Sequence, residues 1–271
     1  MLLLGSALSA QSPPNTPTSP AATGAAVANR GWFRPFVQHE RAIWTSPLRL
    51  KKHDARWLVP FALTTGALIA SDASIAGALP DTPRQIDTGQ ALSRIGASYT
   101  VAGLAGGMYL AGRFAGNTRA RETGRIGAEA LVHSLIVTHA LKFATGRQRP
   151  EEGDGRGDFF KRRVSFPSGH AMAAWSLAAV VAHEYRDRKA VRYGAFAAAL
   201  ATSAGRMMAR KHFASDCLVG GVLGYSIGAF LYQQGQREKN PTRGVTTRVP
   251  DIVPQLDRAS RTVGVSLVWQ F

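Results

Sequence analysis

Residues 206–236 read RMMARKHFASDCLVGGVLGYSIGAFLYQQGQ, and this stretch decides the fold. A polar head carrying Arg206, Arg210, Lys211, His212 and Asp216 runs straight into an uncharged apolar run from Cys217 to Gln236, close to the length at which a helix spans a bilayer. Gly, Ala and Ser are frequent in it. Small residues let helices approach closely, which suits both a membrane bundle and a compact soluble one. His212 and Asp216 are four positions apart, so on a helix opening near His212 they share a face. The carboxylate can then hold one imidazole nitrogen, fix the tautomer and leave the other nitrogen free as a nucleophile. The same pair also fits a capped helix with a structural His–Asp contact.

Outward from this stretch, five more apolar segments of helical composition occur at about 57–79, 92–114, 124–144, 170–185 and 190–209, with the sixth at 216–233. The second is uncharged from Ile95 to Gly112. Asp72 interrupts the first, Glu129 and His133 the third, and Arg206 ends the fifth. The pattern predicts an all-α fold, a six-helix bundle of transmembrane kind. It has a disordered N-terminal region and a strand-like C-terminal tail. The expected layout is a signal-like segment and linker at 1–30, a basic pre-helical segment at 31–56, the helical domain at 57–236 and an extended tail at 237–271. The ending Val263 to Phe271 alternates apolar residues as a strand does, with no second strand series evident to pair with it.

Two further polar clusters lie upstream. Lys142 is followed, after Phe143 to Gln148, by Arg149-Pro150. Gly146 is a helix terminator and Pro150 disfavours helical geometry at Arg149, so Lys142 falls in a last turn and Arg149 in a loop. A compact Lys charge and the planar Arg fork can clamp a dianion; a positive helix C-terminus favoured by the macrodipole is the plainer alternative. Pro167-Ser168-Gly169-His170 reads as a tight loop feeding a helix. Gly169 permits close backbone approach, Ser168 adds a donor, and His170 can protonate a leaving oxygen. An ordinary turn with a Ser cap fits the same string.

The three clusters in this order resemble the type 2 phosphatidic acid phosphatase family, which shares its site with class A acid phosphatases and vanadium haloperoxidases. The resemblance covers about residues 57–233. It implies a metal-independent phosphatase without cofactor, acting on a phosphate monoester or pyrophosphate, most readily of a lipid such as phosphatidic acid or an isoprenoid pyrophosphate. His212 would attack phosphorus to form a phosphohistidine, with Asp216 orienting it and His170 protonating the leaving group. Lys142, Arg149, Ser168, Gly169 and Arg206 would bind the phosphate. One position departs from the family pattern: Gly205 stands where Ser is usual, and the lost hydroxyl implies a weakened phosphate contact. Two other readings of the same motif are a soluble periplasmic acid phosphatase and a haloperoxidase using bound vanadate.

Composition is consistent with this. The 33 Lys and Arg against 17 Asp and Glu give a formal charge of +16, which favours anionic partners. No zinc finger or aromatic-basic motif points to nucleic acid. The single cysteine, Cys217, excludes an internal disulfide. His133 and His139, six apart, fall on different faces of a helix and make no metal pair.

Two signals bear on location. Basic residues gather before segment one, between two and three, between four and five, and after six, which places those ends in the cytoplasm and the site outside the inner membrane. The start, MLLLGSALSA, instead resembles the end of a signal peptide without its basic head, which would put the chain in the periplasm. The two cannot both hold for a six-span protein, and the loop charges involve more residues. Residues 151–163 border the site entrance, where Phe159, Phe160 and Lys161 to Arg163 would meet either headgroups or solvent.

Overall fold

The computed structural model describes residues 33–239 and the backbone of residues 251–257 and 262–268. Residues 1–30, read above as a signal-like segment and linker, lie outside them. The chain divides into two compact units, 1–48 and 49–271. In the first, the segment read as pre-helical contains a helix, α1 (Phe33–Thr45). Phe33, Phe36, Val37, Ile43 and Trp44 recur at helical spacing, a period masked by the basic residues among them.

The second unit carries the bundle: α2 (Ala55–Ala78), α3 (Pro83–Arg94), α4 (Ser98–Phe114), α5 (Thr118–Thr145), α6 (Gly169–Glu184), α7 (Lys189–Met208) and α8 (Ala214–Lys239). Six of these match the expected segments. The seventh, α3, is a correction: the segment expected at 92–114 is broken at Ile95–Ala97. Its start is marked chemically, with Thr82 accepting from the Gln85 N–H (3.3 Å) and Pro83 in the first turn. Helix α5 likewise starts earlier than expected, where Asn117 accepts from the Ala120 N–H at 3.0 Å.

Close backbone approach organises the bundle. On α8, a side chain at Gly220, Gly224 or Gly228 would come within 2.5, 2.2 and 2.2 Å of the carbonyl oxygens of Ser168, Met172 and Ser176 on the α6 side. Two rows of four-residue period therefore interlock, fixing the start of α6 against the start of α8. The core between α4, α5 and α6 is Val101, Leu131, Ala173 and Leu177. At the far end, Arg119 at the start of α5 bonds Asp187 and the Glu184 carbonyl and packs over the Tyr185 ring at 4.3 Å.

The α3–α7 crossing explains Gly205. A Cβ there would lie 2.7 Å from the Gly89 carbonyl oxygen and 2.8 Å from the Ser93 nitrogen, and a Cβ on Gly89 would lie 2.5 Å from the Ala209 nitrogen. The Cβ of a Ser there would thus press into α3. Gly205→Ser is expected to overpack this crossing, costing about 1–3 kcal/mol, seen as a lower melting temperature without a gain in turnover. A faster enzyme of unchanged stability would contradict this.

Lys52–Ala78 and Ala214–Lys239 are long and apolar enough to cross a membrane. Large apolar side chains, among them Trp57, Leu63, Tyr99, Phe114, Phe143 and Leu200, are exposed on the outside of the bundle. The C-terminal strand expected from alternation is present as β2 (Thr262–Val268), and its partner lies within the chain. Strand β1 (Asp251–Asp257) pairs with it antiparallel, Asp251 opposite Val268 and Asp257 opposite Thr262. Pro254 within β1 hid it, because proline demotes a stretch as a strand.

Candidate active site

The end of α5, the start of α6, the end of α7 and the start of α8 lie at one end of the bundle and bring all three clusters together. Lys142 occupies the last turn of α5, and its carbonyl accepts from the N–H of Gly146 (2.9 Å), which closes the helix at φ 54°. The chain from Gly146 is then pinned: Lys161 N–H and Arg163 N–H both donate to the Gly146 carbonyl (2.9 and 3.1 Å) and Ser165 N–H donates to that of Arg147 (3.0 Å). Arg149 is held in this pinned loop.

Ser168 is the N-cap of α6. Its hydroxyl oxygen, fully buried, accepts from the Ala171 N–H at 3.5 Å, while its N–H bonds the Asp216 carbonyl at 3.0 Å. Gly169 and His170 open the helix, and a Cβ at Gly169 would lie 3.1 Å from the Thr138 methyl. A helix start of this kind favours an anion.

His212 lies just ahead of α8, which opens at Ala214, and not on the helix as the spacing suggested. Its backbone N–H and that of Lys211 return to the Arg206 carbonyl (3.3 and 3.1 Å). The turn needs a left-handed residue, and Arg210 supplies it at φ 55°. Arg210 is anchored by a bond to the Ala76 carbonyl at 3.2 Å. The His212 ring is 2% exposed, with Nδ1 at 3.4 Å from Oδ2 of Asp216 but out of hydrogen-bond alignment. Burial pulls the His212 imidazole down to about 4, opposed by the Asp216 carboxylate. It is therefore neutral, with a nitrogen lone pair available, across the physiological range.

The cations crowd one another. Lys142 feels the charges of Arg149 and Arg206, and all three act on His170. Nε of Arg149 and Nε of Arg206 are buried without a hydrogen-bond partner. Two acids lie at the rim: Glu151, bonded to Lys211 (2.8 Å from Oε1) and 3.6 Å from Arg149, and Glu152, which accepts from the Arg149 backbone N–H at 3.0 Å. Like charges gathered with unspent donors make a receptor for a multivalent anion.

Four residues at the site were not singled out from sequence: Asp72, Arg147, Ser165 and Ser215. Oδ1 of Asp216 accepts from Arg147 at 2.7 Å, and Oδ2 accepts from the Ser165 hydroxyl at 2.6 Å and the Phe213 N–H at 2.9 Å. Arg147 also donates to Asp72 at 2.8 Å, the Ser215 hydroxyl at 2.7 Å and the Gly157 carbonyl at 3.0 Å. The available signals were an ionisable residue inside an apolar segment, Asp72, and an extra arginine in the spacer before Arg149. Of the two aromatics expected at the entrance, Phe159 packs over the Arg147 guanidinium at 4.7 Å, turned inward, while Phe160 is exposed.

Residues 126–240 match the model of the PAP2 superfamily, a stretch containing every residue of the three clusters. No curated protein matches the chain. Among solved structures, LpxE of Aquifex aeolicus is 20% identical at a TM-score of 0.47, covering 59% of this chain and 90% of that one. The first transmembrane PAP2 type phosphatidylglycerolphosphate phosphatase from Bacillus subtilis is 20% identical at a TM-score of 0.48, covering 77% of this chain and 94% of that one.

Proposed function

We propose, from the match of residues 126–240 to the PAP2 superfamily model, a membrane phosphatase that removes a terminal phosphate from a lipid phosphomonoester or diphosphate through a phosphohistidine. The observation that carries this reading is the buried anion receptor beside a neutral imidazole. Arg149 and Arg206 each have an unpartnered buried Nε, and His212, which feels the charges of Arg206 and Lys142, has its Nδ1 toward Asp216.

In the first step Nε2 of His212 forms a bond to phosphorus as the ester oxygen leaves with the bonding electron pair. His170 takes up a proton together with the incoming phosphate dianion, whose charge offsets the surrounding cations, and gives it to that oxygen, so the product departs as an alcohol or a shorter phosphate. Lys142, Arg149 and Arg206, with the N–H groups at the start of α6, hold the equatorial oxygens where charge gathers in the five-coordinate transition state. Asp216 supports the positive charge that His212 carries once phosphorylated. In the second step His170 takes a proton from water, the oxygen attacks phosphorus, and the P–N bond breaks to return neutral His212 and inorganic phosphate.

Lipid rather than soluble substrate is favoured by the exposed apolar sides of α2, α4 and α5 and by two helices of membrane-spanning character. The site, at the end of the bundle opposite the basic stretches at 113–125 and 186–192, would then face the outer side of the membrane. A phosphate-release panel with the purified protein tests the reading: phosphatidic acid, an isoprenoid diphosphate, a lipid A phosphate and a soluble monoester, each with and without vanadate. Vanadate-sensitive release that is fastest on a lipid is expected. Release from the soluble ester alone would favour the soluble acid phosphatase, and halide oxidation with bound vanadate would favour the haloperoxidase.

A further inference from the structure

We propose that Arg147 and Asp72 are positioning residues: a buried charge relay that sets the Asp216 carboxylate, and through it the His212 ring, for attack on phosphorus. The inference rests on the phosphohistidine reading above and adds a helix, α2, to the machinery.

Arg147 is 1% exposed and Asp72 and Asp216 are fully buried. The arginine spends its donors on fixed acceptors: Nε on the Gly157 carbonyl, one terminal nitrogen on both Asp216 Oδ1 and the Ser215 hydroxyl, the other on Asp72 Oδ2. Its guanidinium is clamped between the rings of Phe159 and Phe213, 4.7 and 4.4 Å from their centroids. Asp72 answers from α2, accepting also from the Ser215 N–H at 3.1 Å and from the Ser215 hydroxyl. A single planar cation thus bridges two carboxylates from different helices through separate terminal nitrogens, at a fixed spacing that a compact ammonium does not reproduce.

The relay constrains the one degree of freedom that matters. With Oδ1 fixed by Arg147, and Oδ2 fixed by Ser165 and Phe213, the carboxylate cannot rotate, and Oδ2 is the oxygen that faces His212 Nδ1. A misplacement of the nucleophile by a fraction of an ångström is costly to rate and nearly free to binding. Removing charge from Asp72 leaves Arg147 drawn wholly to Asp216; shortening the fork at 147 leaves one carboxylate unbridged. Neither change touches Lys142, Arg149 or Arg206, which bind the phosphate.

Arg147→Lys and Asp72→Asn test this in the full-length protein. Expected is a fall in kcat of about 10- to 100-fold, the range for losing a residue that orients a ligand-bearing one, with KM and vanadate inhibition within about twofold of wild type. Vanadate serves as the probe of phosphate binding. Histidine 15N spectra supply a readout independent of turnover: the His212 signals should show one fixed tautomer in wild type and lose it in both variants. Should Arg147→Lys fail to fold, Asp72→Asn, which keeps the shape and an acceptor, carries the test. Wild-type kcat and an unchanged His212 tautomer in a folded variant would overturn the relay. So would a loss of vanadate binding in step with kcat, which would make Arg147 a phosphate ligand. If wild type releases no phosphate at all, the proposed function fails, while the tautomer comparison still decides the relay.

Discussion

His212→Ala is expected to reduce phosphate release by about 10⁴-fold or more, the scale of deleting a covalent nucleophile. No other group at the site replaces it. Asp216 accepts hydrogen bonds and is held on both oxygens, and His170, at the start of α6, is assigned to the leaving group. The fold should survive, because Asp216 keeps Arg147, Ser165 and the Phe213 N–H when the imidazole is gone. A melting curve close to that of wild type with turnover near background is the expected pair of results. Because His212 is held near pKa 4, wild-type activity should also not fall from protonation of this group until the pH approaches that value. Residual activity in the alanine variant above about one part in a hundred would remove His212 from the nucleophile's role.

Arg206→Ala has the second largest expected effect, and it runs in opposite directions for rate and stability. One oriented donor to developing charge is worth about 10²- to 10³-fold, so kcat/KM should fall by that factor. In the empty protein, however, Arg206 brings a third cation to a site that already holds Lys142 and Arg149, and its buried Nε has no partner. Its removal relieves repulsion and an unsatisfied donor, and the melting temperature without phosphate should stay level or rise. Adding inorganic phosphate or vanadate should then raise the wild-type melting temperature more than that of the variant, as ligand linkage requires. A variant that melts lower in the absence of anion would show Arg206 to be a structural residue.

The site clusters were legible because their chemistry is tied to short spacings. Gly146 ends a helix and Ser168 starts one whatever surrounds them, so Lys142 and His170 could be placed at helix ends from local rules alone. Arg147 and Asp72 could not. They are 75 positions apart, and only the packing of α2 against α8 makes an interruption in an apolar segment and a spare arginine into one ion pair. Gly205 shows the same limit. A family pattern marks it only as a position without the usual Ser hydroxyl, whereas its surroundings are a backbone crossing with no room for a side chain. Helix α3 escaped because its polar face and short length produce no long apolar run, yet it is the element that makes Gly205 necessary.

Rapid-quench trapping with a 32P-labelled lipid phosphate tests the phosphohistidine mechanism most directly. Wild-type protein, mixed with substrate and quenched in base within the first turnover, should carry acid-labile, base-stable label on the peptide containing His212. His212→Ala should carry none. Label on another residue, or full turnover with no labelled protein at any quench time, would contradict the assignment of His212 as the attacking group.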